Sequence, residues 1–266
     1  MFKGKLIISG NNAKTVKGDG TEYETAIMYL APFTQAGRGN VCAMAVMAHC
    51  WEGCLNTAGR GAMNSVQRAR VAKTRRYMED RASFMAQLID DLRKFANYAK
   101  RKGVQPCVRL NGTSDIMWEK GHPVTVGGVR FASVMEAFPM IQFYDYSKIY
   151  TRVDKTLPAN YAITLSYSEA NPDFASEIIN RVMAGKANMA VVYRTKELAQ
   201  QAVYEHGAID GDLTDMRFLD LQPMDGGVGN TVALYAKGRA KRDTSGFVIG
   251  EWGYRARVWV KQDRAD

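Results

Sequence analysis

A chain of 266 residues with 46% hydrophobic and 24% charged side chains has the composition of a folded globule, which excludes a disordered polar chain and a fibrous repeat. Its formal charge is +9, from 36 Lys and Arg against 27 Asp and Glu, and an excess of that sign favours a polyanionic partner. No apolar run approaches the roughly 20 residues that a bilayer crossing requires, and the apolar stretch within MFKGKLIISGNNAK is too short for a secretory signal, so no membrane partner is expected and the setting is a cytoplasm.

Residues 5–8 and 23–30 read as two strands joined by the turn-rich NNAKTVKGDGTE, a short β extension covering 1–35. The cysteine-bearing NVCAMAVMAHCWEGC follows, and the glycines of NTAGRGAMNS then interrupt regular structure. Apolar residues at spacings of three and four predict one long helix over 65–101, stopped by Gly103 and Pro106. Beyond it, short apolar runs ending in polar residues predict strands at 107–115, 141–148, 161–169, 188–194, 216–220 and 231–238. Helices are expected between them near 131–138, 174–184 and 196–206. Strands alternating with helices predict an α/β fold with mostly parallel strands, a full or partial (β/α) barrel forming a single domain over 1–266.

In such a barrel, function collects at the C-terminal ends of the strands. That rim would carry Asn111, Thr113, Ser114 and Asp115, then Asp145 and Lys148, then Ser166, Ser168 and Glu169, with Lys237 from the last strand. Taken singly, each also reads as an ordinary loop polar or helix cap. The segment 209–215, IDGDLTD, has three aspartates but lacks the remainder of a calcium loop and reads as a structured turn.

Positive charge is concentrated between Ser65 and Lys102, where eleven Lys and Arg face four Asp and Glu. Arg68, Arg70, Lys73, Arg75 and Arg76 are the residues expected to meet a phosphate backbone, with a nucleic acid or nucleotide as partner. A second basic cluster comprises Lys237, Arg239, Lys241 and Arg242. The plain alternative is a solvated helix face. Tyr77, Tyr98, Tyr144 and Tyr146 are candidates to stack on unpaired bases, although Tyr77 also fits the apolar helical pattern.

Cys42, Cys50 and Cys54 fall within thirteen residues, and thiols so gathered point to a soft-metal site. Three thiolates suit a 4Fe-4S cluster with one open iron, or a zinc completed by His49 or Cys107. They also suit apolar packing. With only His49, His122 and His206 in the chain, a His-rich metal site is excluded.

The cysteine segment, LNTAGRG, VRLNGTSDI, FPMIQFYDYSK, LPANYAITLSYSE, IDGDLTDMRFLD and AKGRAKRDTSGF together closely resemble the phage "gene product 88" family over about residues 25–250. That family in turn resembles radical S-adenosylmethionine enzymes, with cysteines after an early strand and a polar motif on the next. The spacing here is CxxxxxxxCxxxC, and Gly53 stands where those enzymes place an aromatic residue. The resemblance implies Cys42, Cys50 and Cys54 as ligands of a 4Fe-4S cluster. It also implies S-adenosylmethionine with Asn111 to Asp115 at its methionyl amine and Ser166 and Glu169 at its ribose. With the strand-end reading, the expected cofactor contacts are Asn111, Thr113, Ser114, Ser166 and Lys237, and the expected catalytic residues are Asp115, Asp145 and Glu169. The expected function is therefore a phage nucleic-acid-modifying radical enzyme in the host cytoplasm. One alternative is a base transglycosylase with structural zinc and carboxylate catalysis by Asp115, Asp145 and Asp212. The other is a non-catalytic nucleic-acid-binding protein.

Overall fold

A computed structural model describes residues 4–10, 22–223 and 227–250. Except for Glu22, the predicted turn NNAKTVKGDGTE lies outside the described residues. Ten strands and five α-helices are present among those described. The strands are β1 (Ile7–Ser9), β2 (Tyr23–Met28), β3 (Gln105–Arg109), β4 (Val124–Val126), β5 (Val129–Phe131), β6 (Gln142–Ser147), β7 (Tyr161–Ser166), β8 (Met189–Tyr193), β9 (Ile209–Asp210) and β10 (Thr231–Tyr235). The helices are α1 (Asn64–Glu79), α2 (Arg81–Lys102), α3 (Val134–Ala137), α4 (Pro172–Met183) and α5 (Lys196–His206).

Eight strands form one mixed sheet in the order β1-β2-β3-β6-β7-β8-β10-β9, and β4 and β5 form a separate hairpin. β1 pairs antiparallel with β2, whereas β2 with β3, β3 with β6, β7 with β8, β8 with β10 and β10 with β9 are parallel. This is the expected α/β fold, a barrel-like series of mostly parallel strands preceded by an N-terminal pair. No helix among the described residues is long and apolar enough to cross a membrane.

The chain divides into two compact units. The first comprises Met1–Cys42, Ala62–Asp145 and Lys155–Ala162. Its core gathers Leu6, Ile27, Phe84, Leu88, Leu92, Val108, Trp118 and Phe143, all fully buried. Tyr77 sits edge-on to Phe84 at 5.3 Å and to Trp118 at 5.4 Å, geometry that adds quadrupolar attraction to area burial. The second unit comprises Ala43–Gly61, Tyr146–Asp154 and Ile163–Asp266. Leu165, Phe174, Ile178, Val191 and Val232 centre its core. Local chemistry sets its helices. Asn171 and Thr195 accept from the backbone of Phe174 and Leu198 to cap α4 and α5, and Gly207 ends α5 in the left-handed region at φ 68°.

Three elements differ from expectation. The helix over 65–101 is two helices, because Asp80 leaves helical geometry (φ −140°, ψ 68°) and its carboxylate accepts from Ser83 N to start α2. The expected strand at 216–220 is a 3₁₀ turn, Arg217–Leu219, held by the Arg217–Asp220 pair, and β9 lies instead in the aspartate segment. The helix near 131–138 shrinks to the single turn α3, since Val129–Phe131 is taken into the β4–β5 hairpin around Gly127 and Gly128.

Candidate functional site

The cysteines hold no metal site. Among the described residues, no group of three or more His, Cys, Asp or Glu side chains is placed to bind a metal ion. That overturns the expected 4Fe-4S cluster with S-adenosylmethionine at Cys42, Cys50 and Cys54, and also the zinc alternative. The radical-enzyme reading and the transglycosylase with structural zinc fall with them.

Each sulfur has local work instead. Cys42 Sγ accepts from Phe33 N at 3.2 Å and lies 3.9 Å from Thr113 O, while its backbone bridges to Asp115. Cys50 packs on a cluster of Ala236, Ala240, Phe247 and Val248, its thiol 4.0 Å from Ala45 O. Cys54 Sγ accepts from Asn56 N and caps the 3₁₀ turn Leu55–Thr57. Cys107, buried in β3, meets Thr25 Oγ1 at 3.0 Å. Free cysteine serves well as a small apolar residue with a weak hydrogen bond.

The polar residues at the strand ends separate into distinct sets. In the first unit, Asn111 and Asp145 form one buried network. Asp145 accepts from Asn111 N at 2.7 Å, from Asn111 Nδ2 at 3.2 Å and from Tyr161 Oη at 2.8 Å. Asn111 Oδ1 in turn accepts from Ser114 Oγ, Ile116 N and Trp118 Nε1 at 3.0–3.1 Å. Thr113 Oγ1 donates to Leu30 O, and Asp115 N donates to Val41 O. These bonds tie the loop after β3 to β6 and to the segment after β2, so they organise the chain rather than present an open set of donors.

In the second unit, Ser166 meets Lys148 Nζ at 2.9 Å, and that ammonium lies 4.5 Å from the Phe247 ring. Glu169 accepts weakly from Tyr167 Oη at 3.4 Å, and its backbone donates to Gly246 O. Lys237 pairs with Asp212 at 2.5 Å, and Asp212 also accepts from Tyr235 N.

The five basic residues of α1 divide by helix face. Arg70 and Lys73 are only 7% and 3% exposed, which corrects their assignment to a phosphate-facing surface. Arg70 lies over the Tyr29 ring at 4.8 Å, and Lys73 Nζ donates to Leu6 O at 3.4 Å. Burial, aided by Arg70, brings the Lys73 ammonium down to about 8. Arg68, Arg75 and Arg76 instead line an open cleft of about 1040 Å³ along α1, together with Gln67, Glu79 and Asp80.

The acidic members of this cleft are engaged. Glu79 pairs with Arg38 at 3.3 Å, and Asp80 caps α2. Arg76 turns to Ser83, donating to both its carbonyl and its hydroxyl. Arg75 uses one donor on Ala36 O at 2.9 Å, and a guanidinium has five. Among the described residues, neither Arg68 nor Arg75 has a carboxylate partner.

Of the tyrosines considered for stacking, Tyr77 and Tyr144 are buried and Tyr98 is exposed. Trp51, exposed between Cys50 and Glu52, escaped attention beside the cysteines; a large aromatic among polar and glycine neighbours was its signal.

No curated protein and no solved structure matches the chain. A family model, Gene product 88, matches residues 5–251, nearly the whole sequence, and the chain belongs to the Gene product 88 family.

Proposed function

We propose that the protein binds the phosphate backbone of nucleic acid along α1, through Arg68 and Arg75. The observation that carries this reading is the α1 cleft, where two exposed guanidinium groups have no carboxylate partner among the described residues and the neighbouring carboxylates serve Arg38 and the α2 cap. Guanidinium groups match phosphate oxygens in a two-pronged geometry, and neutralising phosphates releases condensed counterions. Phosphate contacts position a nucleic acid without carrying sequence information, so these two arginines serve affinity and position rather than sequence choice.

The test is the salt dependence of binding to a fluorescein-labelled duplex, followed by anisotropy, in the wild type and in Arg68→Ala/Arg75→Ala. Each phosphate contact contributes about −0.9 to the slope of log K against log salt, so the double variant should flatten the slope by roughly 2. Wild-type binding that ignores salt, or an unchanged slope in the variant, would sink the reading.

A further inference from the structure

We infer that the second unit carries a surface for single-stranded nucleic acid, in which Trp51 stacks on an unpaired base and Arg239, Lys241 and Arg242 hold the adjoining phosphates. The inference is built on residues of the second unit alone and does not depend on the α1 cleft.

The segment Ala43–Gly61 is fixed from beneath. Ser168 Oγ donates to Ala48 O at 2.8 Å, and Ser245 Oγ donates to His49 O at 3.2 Å. His49 takes a left-handed conformation at φ 48°, unusual for a residue with a Cβ, which turns the chain sharply before Cys50. Cys50 then faces the apolar cluster of Ala236, Ala240, Phe247 and Val248.

With its underside so anchored, the segment presents apolar groups outward. Val46, Met47, Trp51 and Leu55 are 58%, 42%, 46% and 37% exposed. Four large apolar side chains exposed within ten residues of one another mark an interaction site more often than a bare surface.

The same segment packs directly on the basic 3₁₀ turn Gly238–Arg242. A Cβ on Gly238 would lie 3.1 Å from Ala58 Cα, and one on Gly53 would lie 3.5 Å from Ala240 Cα. Arg239, Lys241 and Arg242 are exposed, and none forms an ion pair among the described residues. The neighbouring Asp243 is buried, accepting from Ser245 Oγ and Val248 N, so its carboxylate is committed elsewhere. Glu52 is the one exposed acidic group within Ala43–Gly61, set against Arg60 and the three cations of the turn.

An exposed indole on a segment packed against a turn of cations unpaired among the described residues fits a ligand with flat π faces and a phosphate chain. A duplex keeps its base faces inside the stack, whereas a single strand offers them, and stacking tolerates any base. The chemistry therefore selects single-stranded nucleic acid over duplex. An acidic polypeptide would match the charge but bring no face for the indole.

The test measures anisotropy and tryptophan quenching with a labelled oligo-dT strand, an abasic strand of equal length, and poly-glutamate. Wild type, Trp51→Ala, Trp51→Phe, Arg239→Glu/Lys241→Glu and Arg68→Ala/Arg75→Ala are compared. The expected result is oligo-dT binding that quenches fluorescence, weakened roughly 5- to 150-fold in Trp51→Ala and largely kept in Trp51→Phe. Arg239→Glu/Lys241→Glu should weaken binding to the abasic strand as well. The proposal is overturned if the abasic strand or poly-glutamate binds as tightly as oligo-dT, or if Trp51→Ala binds and is quenched like the wild type. Loss of duplex binding in Arg68→Ala/Arg75→Ala with oligo-dT binding intact supports both surfaces. Failure of that variant to change duplex binding counts against the α1 reading alone.

Discussion

Asn111→Ala should be among the most damaging single changes in the first unit. The side chain makes five hydrogen bonds at once: Nδ2 donates to Ile116 O at 2.9 Å and to Asp145 Oδ2 at 3.2 Å, while Oδ1 accepts from Ser114 Oγ, Ile116 N and Trp118 Nε1. Ser114 can rotate its hydroxyl elsewhere, and Asp145 keeps Asn111 N and Tyr161 Oη. The Trp118 indole N–H and the Ile116 amide cannot move, and Trp118 is wholly buried. Two stranded buried donors at about 1–3 kcal/mol each give a loss near 4 kcal/mol. That is a large share of the roughly 5–15 kcal/mol by which domains are stable. Urea unfolding followed by near-ultraviolet circular dichroism should show the midpoint falling by about 1.3–2 M for a slope near 2–3 kcal/mol per molar. Asn111→Asp keeps the acceptor but sets a second carboxylate against Asp145, so its loss should shrink as the pH is lowered. A midpoint shift in Asn111→Ala below roughly 0.5 M would refute the claim that stranded donors dominate.

Lys73 predicts a rise of stability with pH. The unfolded chain holds that proton up to 10.5 and the folded chain only to about 8, so between those values the unfolded state binds more protons and folding strengthens as pH climbs. From about pH 7 to about pH 9.5 the gain is about 2 kcal/mol, and Lys73→Met should abolish it in parallel thermal melts. His122 acts on the acid side: burial holds its imidazole below the ordinary 6.5, so stability is lost as pH falls through that value. His122→Gln should lessen the drop in Tm between neutral and acidic buffer. Gly112→Ala would set a Cβ 2.7 Å from Met28 O, and calorimetry should record a loss of about 1–3 kcal/mol.

Much of the architecture was legible because periodicity is a local signal. Apolar runs gave β6, β7, β8 and β10 closely, and α5 coincides with the expected 196–206. The Gly127–Gly128 hairpin was also available, as alternation flanking two glycines in VTVGGVRF, but its strands are only three residues each. The buried fate of Arg70 and Lys73 was visible too. Val66, Arg70, Lys73 and Tyr77 recur at spacings of four, three and four, which puts both cations on the apolar face. Charge counting ignored that phase. The cysteines misled for a different reason: nearness along the chain does not make side chains converge. Cys42 belongs to the first unit and Cys50 and Cys54 to the second, and each thiol serves its own turn. The Asn111–Asp145 network joins residues 34 apart in sequence through the strand order, which no local pattern encodes.

The single residue between α1 and α2 acts as a timing mark for both helices. Asp80 closes one and caps the next with no spacer, so the azimuth at which α2 starts is set by the residue at which α1 stops. Inside α2, one inserted residue would advance everything after it by about 100° around the helix axis. Placed after Ser83, it would turn Leu92 to the exposed azimuth of Arg93 and bring Lys94 to that of the buried Phe95. Length variation in this long helical region should therefore be tolerated at its outer ends and refused inside α2, a pattern that single-residue insertion scanning can read directly.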